Sequence, residues 1–213
     1  MKSIALAVVA HATVFGALAA PVVMAEPAIS PASVALSDLT PLRTRVGGRV
    51  EETNSGPLTL YTYQWPGTYF ETGVTGKDVY FQVGTGDVIL HVTVDGQALA
   101  PMVKPAGGFY HIDGLAAGNH TLRIEVATES QAGPDHFGGF FAPRGTPAPT
   151  PLARRHQIEF IGDSHTVGYG NISTTRDCTT DQVWATTDDT QEVWFKKLER
   201  TYARRTAFWK ALP

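Results

Sequence analysis

The chain has 213 residues, of which 43% are hydrophobic, enough for one large domain or two small ones with a buried core. Its net charge of −3 argues against a nucleic-acid or membrane-surface partner, and its single cysteine, Cys178, excludes an internal disulfide. The 21 glycines and 14 prolines favour turns and short strands over long helices.

Residues 1–25 have the pattern of a secretory signal peptide. Lys2 supplies the positive start, residues 4–20 are almost entirely apolar, and Val23 and Ala25 are small residues before a cleavage point. We therefore predict a secreted or periplasmic protein with no stable membrane association after cleavage. The alternative is a retained anchor, but the run is short for a membrane span and is interrupted by His11.

Residues 26–46 are rich in Ala, Ser and Pro without a clear period, so we expect a flexible leader. From residue 47 to residue 141 the pattern is that of β-strands, with apolar and polar side chains alternating most clearly at 79–83, 88–94 and 121–126. Asp95-Gly96 supplies a hairpin turn between two strands. Many short strands with regular turns predict an antiparallel β-sandwich of the jelly-roll type.

A Pro-rich linker is expected at residues 142–156, because four prolines within residues 142–151 cannot join a sheet ladder. A short apolar run at 158–161 then leads directly into Gly162-Asp163-Ser164. We expect a buried strand that ends there in a tight turn and leaves the Ser164 hydroxyl exposed. Open α/β sheets place their reacting groups at this edge.

The run Ile-Glu-Phe-Ile-Gly-Asp-Ser at residues 158–164, with Gly-Tyr-Gly-Asn at 168–171, resembles the first sequence block of the SGNH (GDSL-type) hydrolases. With a β-sandwich ahead of it, the chain resembles carbohydrate esterase family 2 over residues 47–192. The resemblance implies a jelly-roll domain followed, from residue 157, by the start of an SGNH-type α/β domain. It also implies an enzyme that removes acetyl groups from plant-wall polysaccharides such as acetylated xylan.

Ser164 matches the nucleophile of this family, and Gly162, Asp163 and Gly168 match the residues that shape its turn and oxyanion site. The resemblance implies an acetylated carbohydrate as substrate and no metal or organic cofactor. The family takes its base from an Asp-x-x-His sequence, which this chain does not contain, and its further oxyanion donors from later glycine and asparagine blocks. We therefore expect a C-terminally shortened copy with little or no turnover.

Other polar residues are weaker candidates. His165 is next to Ser164 in the chain, but adjacent side chains diverge, so we expect a loop residue rather than the catalytic base. Asp163 is expected to accept hydrogen bonds from nearby backbone N–H groups. The acidic stretch at residues 177–192 lacks the ligand spacing of a calcium loop, so no metal site is predicted.

The tail from residue 193 to residue 213 differs from the rest of the chain, with six basic side chains against one acidic one. We interpret it as the product of a frameshift or premature stop. The alternative is an amphipathic basic helix that binds a membrane or a partner.

A second interpretation of the whole chain is a non-catalytic carbohydrate-binding or accessory β-sandwich module. Trp65 and Tyr69 would then stack on sugar rings, and Ser164 would have no role. Aromatic residues on strands more often belong to the core, as we expect for Tyr61 and Tyr63.

Overall fold

The computed structural model describes residues 26–56, 58–147 and 163–188. The predicted signal peptide at 1–25, the apolar run at 158–161 with Gly162, and the basic tail from residue 193 lie outside the described residues. So does most of the predicted linker. Its first two residues, Ala142 and Pro143, instead form the end of a paired strand, so the prediction that the linker starts at residue 142 was wrong.

In the described part of the chain, the regular secondary structure is almost entirely β-strand. Its only α-helix is six residues long, and no helix in the described ranges is long and apolar enough to cross a membrane. The elements are β1 (Ala28–Ala32), β2 (Leu39–Pro41), β3 (Arg45–Gly47), β4 (Glu51–Ser55), β5 (Leu58–Tyr63), β6 (Tyr69–Thr75), β7 (Val79–Val83), β8 (Ile89–Val94), β9 (Gln97–Ala98), β10 (Met102–Val103), β11 (Gly108–Asp113), β12 (Asn119–Val126), β13 (Asp135–Pro143) and α1 (Thr180–Ala185), with a 3-10 turn at Leu36–Asp38.

Two antiparallel sheets form a sandwich. One has the strand order β1-β11-β7-β13-β5-β4, with β2 also paired to β13, and the other has the order β10-β8-β12-β6-β3, with β9 paired to β8. From β5 onward the long strands alternate between the sheets, because β5, β7, β11 and β13 belong to the first and β6, β8 and β12 to the second. This alternation is typical of a jelly roll, and the predicted β-sandwich is confirmed.

The period-two pattern of the sequence identified the buried face of the central strands. Phe70 stacks on Phe137 with ring centroids 4.3 Å apart, so aromatic rings from both sheets meet in the middle of the core. The predicted apolar positions of β7 and β12 are at most 2% exposed: Val79, Phe81, Val83, Leu122, Ile124 and Val126.

Tyr61 and Tyr63 belong to this core, with 7% and 3% of their surface exposed. The Tyr63 hydroxyl donates a hydrogen bond of 3.0 Å to the buried Asp135 carboxylate. Burial, followed by the charge of Asp135 and this bond, raises the pKa of Tyr63 well above its usual value. Both tyrosines are structural residues, as the sequence predicted.

The prediction of a flexible leader at residues 26–46 was wrong. β1 pairs with β11 along five residues, β2 pairs with β13, and Leu39 and Leu42 are 5% and 6% exposed. The Ala, Ser and Pro composition that suggests a linker also suits an edge strand, where a proline such as Pro31 costs no hydrogen bond on its open side. The sandwich therefore begins at Ala28, 19 residues before the start at residue 47 that the periodicity indicates.

The turn predicted at Asp95-Gly96 is present between β8 and β9. Both residues have positive φ angles, 51° and 83°. Two consecutive positive φ angles match the right-handed twist of a two-residue hairpin, and Asp-Gly tolerates them better than most pairs.

Candidate active site

Ser164 lies on an exposed turn near the start of the segment that follows the sandwich. The Asp163 carboxylate accepts a hydrogen bond of 3.0 Å from the backbone N–H of His165, and its carbonyl accepts one of 2.9 Å from Thr166. The N–H of Tyr169 donates to the Ser164 carbonyl at 2.9 Å. These bonds fix the backbone on both sides of Ser164 and leave its side chain open to solvent.

Two glycines end this turn. Gly168 is buried with φ of +69°, and Gly170 has φ of +66°, a conformation that costs an L-amino acid about 1–2 kcal/mol. At Gly170 an added Cβ would also meet a methyl group of Val183 at 3.3 Å. Gly168 therefore lies in the same turn as Asp163 and Ser164, as the resemblance implied, whereas Gly162 is outside the described residues.

The turn is joined to the end of the segment by polar contacts. The Asn171 side chain donates to the Asp188 carbonyl and accepts from the Asp188 N–H, both at 2.9 Å. Between them, α1 starts with a capping box in which the Thr179 and Gln182 side chains bond each other's backbone N–H. Residues 163–188, which we call the serine segment, thus form a closed loop around one short helix.

Trp184 attaches the serine segment to the sandwich. It is 5% exposed and packs with Ile89 and Ala127, and its indole N–H donates to the Glu129 carbonyl at 3.0 Å. The Lys104 ammonium lies 4.8 Å from the centre of its ring, a cation–π distance. Trp184 is thus the apolar anchor of the serine segment on the sandwich, and the His91–Asp188 contact at 3.9 Å adds a polar one.

This anchor was not predicted from the sequence. Trp184 stands alone in an acidic, Thr-rich stretch and shows no periodicity. The available signal was the Thr-x-x-Gln spacing of Thr179 and Gln182, which predicts a helix start shortly before the tryptophan. Lys104 offers no signal in the sequence, although its φ of +47° in the structure marks an unusual position for a residue other than glycine.

The two predicted sugar-stacking residues lie in different environments. Trp65 is 61% exposed in the turn between β5 and β6. Tyr69 is half-buried on β6, and the Arg123 guanidinium lies 3.7 Å from its ring centre, so one face of that ring is covered. Of these two residues, Trp65 has the more exposed ring.

The sandwich histidines pair with residues other than Ser164. Among the described residues, no group of three or more His, Cys, Asp and Glu side chains is placed to hold a metal ion. The pairs, with their distances, are His91–Asp188 (3.9 Å), His111–Asp78 (3.0 Å), His120–Asp95 (2.7 Å) and His136–Thr62 (3.1 Å).

These observations define a two-sheet β-sandwich protein with an exposed serine in a segment docked onto the sandwich. Residues 46–151 match the family model described as carbohydrate esterase 2 N-terminal. The chain thus carries the N-terminal domain of carbohydrate esterase family 2, and the resemblance noted in the sequence is confirmed.

Several relatives support this assignment. An acetylxylan esterase / glucomannan deacetylase from Cellvibrio japonicus is 38% identical over 164 residues, which are 75% of this chain and 45% of that protein. A solved carbohydrate esterase, whose active site displays divergent catalytic and non-catalytic binding functions, matches with a TM-score of 0.65 and 35% identity over 71% of this chain and 44% of its own. A family two carbohydrate esterase from Clostridium thermocellum, solved with cellohexaose, matches with a TM-score of 0.60 and 25% identity. This match covers 76% of this chain and 49% of that one. The chain spans less than half the length of each.

Proposed function

We propose that this protein is an exported serine esterase that removes acetyl groups from plant-wall polysaccharides or their oligosaccharides, with Ser164 as its nucleophile. The observation that carries the proposal is the exposed Ser164, on a turn with a fixed backbone, in a segment docked on a carbohydrate esterase 2 N-terminal domain. The Cellvibrio japonicus relative, named for acetylxylan and glucomannan, supports the substrate class.

The reaction needs a nucleophile, a base and oxyanion donors. The Ser164 hydroxyl would lose its proton to a base, attack the acetyl carbonyl and expel the sugar hydroxyl. Water would then hydrolyse the acyl-enzyme and release acetate, with no metal or organic cofactor involved. We expect slow turnover from the sequence as printed, since it contains no Asp-x-x-His, and a group of residues that acts as a unit loses most of its rate when one member is missing.

Covalent trapping tests the role of Ser164 even where turnover is slow. The full chain is incubated with p-nitrophenyl acetate, whose good leaving group lowers the demand on a base, and its peptides are analysed by mass spectrometry. We expect one acetyl group on the peptide that contains Ser164. The label should vanish in Ser164→Ala and persist in Ser55→Ala, which removes another exposed serine, on β4.

Equal acetylation of the chain and of Ser164→Ala, or label confined to surface lysines, would reject Ser164 as the nucleophile. A parallel assay of acetate release from acetylated xylan measures turnover on the proposed substrate. If acetate release does not exceed the Ser164→Ala background and Ser164 is unlabelled, the non-catalytic interpretation is favoured. The exposed Trp65 supports that interpretation.

Export is the second part of the proposal and has its own test. It rests on the pattern of residues 1–25. The protein is expressed with its full N-terminus and recovered from the periplasm or the medium. We expect its first residue to be Glu26, whereas protein that stays in the cytoplasm with Met1 or Lys2 at its start would contradict export.

A further inference from the structure

Trp65 is the most exposed large hydrophobic residue in the described part of the chain, at 61%. Apolar surface left in water forgoes about 25 cal/mol per Å² of stabilisation, so exposing most of an indole ring is unfavourable for the free protein. Large aromatic side chains kept at the surface are concentrated at binding sites, where their faces are covered by a ligand.

The turn that carries Trp65 is rigidly attached to the sandwich. The N–H of Gly67 donates to the Val126 carbonyl at 2.8 Å, and the N–H of Ser130 donates to the Gln64 carbonyl at 3.3 Å. The proline that follows Trp65 restricts the backbone further. The indole is therefore held in solvent by a backbone that does not have to reorganise on binding, which lowers the entropic cost of an encounter.

Residues 126–130 contact both the Trp65 turn and the serine segment. The Val126 carbonyl accepts the Gly67 N–H, and the Glu129 carbonyl accepts the indole N–H of Trp184. The Trp65 turn and the serine segment are thus neighbours at one end of the sandwich. Two exposed amides, Gln64 and Gln131, flank the junction between the turns.

We infer that Trp65 is a sugar-stacking subsite that binds a pyranose ring of a β-1,4-linked plant-wall polysaccharide beside the serine segment. Such rings carry equatorial substituents and present flat C–H faces that an indole covers, while amide groups suit their hydroxyls as hydrogen-bond partners. The class of ligand rests on the proposed function. Tyr69 is not part of the subsite, because Arg123 covers one face of its ring.

Affinity electrophoresis of the full chain in gels that contain acetylated xylan tests this subsite. We expect the polysaccharide to retard the chain, and Trp65→Ala to raise the apparent Kd about tenfold or more, which corresponds to about 1.4 kcal/mol. Trp65→Phe, which keeps a smaller ring, should lie between the two. Val103→Ala is the matched control, since Val103 is 58% exposed on β10 and should leave retardation unchanged.

The Ser164→Ala variant separates this inference from the proposed function. Retardation that survives in Ser164→Ala and is lost in Trp65→Ala supports the subsite, whatever the acetyl-trapping result. Wild-type retardation of Trp65→Ala, an equal loss in Val103→Ala, or no retardation of the wild-type chain at the highest xylan concentration would each overturn it.

Discussion

The sandwich and the serine segment are stabilised in very different ways. The sandwich has a continuous core of 21 buried residues from both sheets, whereas the serine segment contributes only Trp184 to a separate cluster with Ile89 and Ala127. A six-residue helix such as α1 is too short to be stable alone. The serine segment therefore depends on the sandwich for its structure, whereas we expect the sandwich to be stable without the serine segment.

The largest effect is expected from the core. Phe70 is fully buried and lies against Tyr61, Tyr63 and Phe137. Phe70→Ala should reduce the free energy of unfolding by about 3–5 kcal/mol, through lost burial and the cavity that remains. Urea unfolding followed by circular dichroism measures this loss. Trypsin cleavage after the exposed Arg176 should appear at the same urea concentrations, and a serine segment that stays protected after the sandwich unfolds would contradict its dependence.

Trp184→Ala tests the opposite direction. It removes the anchor, so cleavage after Arg176 should become at least tenfold faster without urea. This corresponds to a decrease of more than about 1.4 kcal/mol in the free energy of local unfolding of the serine segment. The urea midpoint of the sandwich should change little. Trp184→Phe keeps a ring but loses the bond to Glu129, so its effect should be smaller, about 0.5–1.5 kcal/mol. A midpoint that falls as far as that of Phe70→Ala would mean that the two regions unfold as one unit.

Lys104 should make a smaller contribution to docking. Its side chain is 48% exposed, lies over Trp184 and is 3.3 Å from the Asp87 carboxylate. Exposed cation–π contacts and surface ion pairs each stabilise by about 1 kcal/mol or less. Lys104→Met should therefore speed cleavage after Arg176 only a few-fold, and Lys104→Arg should restore the wild-type rate. A failure of the arginine to restore protection would exclude the charge as the cause.

The smallest effect is a pH dependence at the other end of the sandwich. The His120 ring lies 2.7 Å from the Asp95 carboxylate and 2.9 Å from the Ala116 carbonyl, and because both partners only accept, the two bonds form together when the ring is protonated. Burial alone would lower the pKa of His120, but these bonds and the charge of Asp95 outweigh it and raise the pKa above 6.5. For Asp95, the bonds from His120 and from the Thr121 N–H outweigh burial and lower its pKa below 3.8.

The direction of the pH effect follows from these shifts. The contribution of His120 is complete below 6.5 and is lost as the pH rises through the raised pKa, whereas that of Asp95 is complete above 3.8 and is lost as the pH falls through the lowered pKa. The pair therefore stabilises most between these values. When the pH is raised from about 5.5 to about 9, the urea midpoint of unfolding should decrease more in the wild type than in His120→Gln. Cleavage after Arg176 should show no such difference, since the serine segment docks at the opposite end.

The sequence predicted the sandwich well because period-two alternation is a direct consequence of burying one face of a strand. It failed at β1, where an edge strand buries too little to impose a period and Pro31 suggests a linker. The proposal of Ser164 as nucleophile rests on a local sequence run, and the structure shows that this residue lies on an exposed turn. The sequence could not locate Trp184 or Lys104, because their roles depend on contacts between residues far apart in the chain, which local patterns do not encode.

Residues 126–130 have a practical consequence for engineering. Their backbone groups form hydrogen bonds with Gly67, Thr68 and Ile89 as well as with the Trp184 indole. Neighbouring residues in this stretch therefore bond to different parts of the protein. Inserting one amino acid there would reverse which groups face each side. Tags or loop grafts belong instead in the exposed bend at residues 117–118, just before β12 and at the opposite end of that strand from the serine segment.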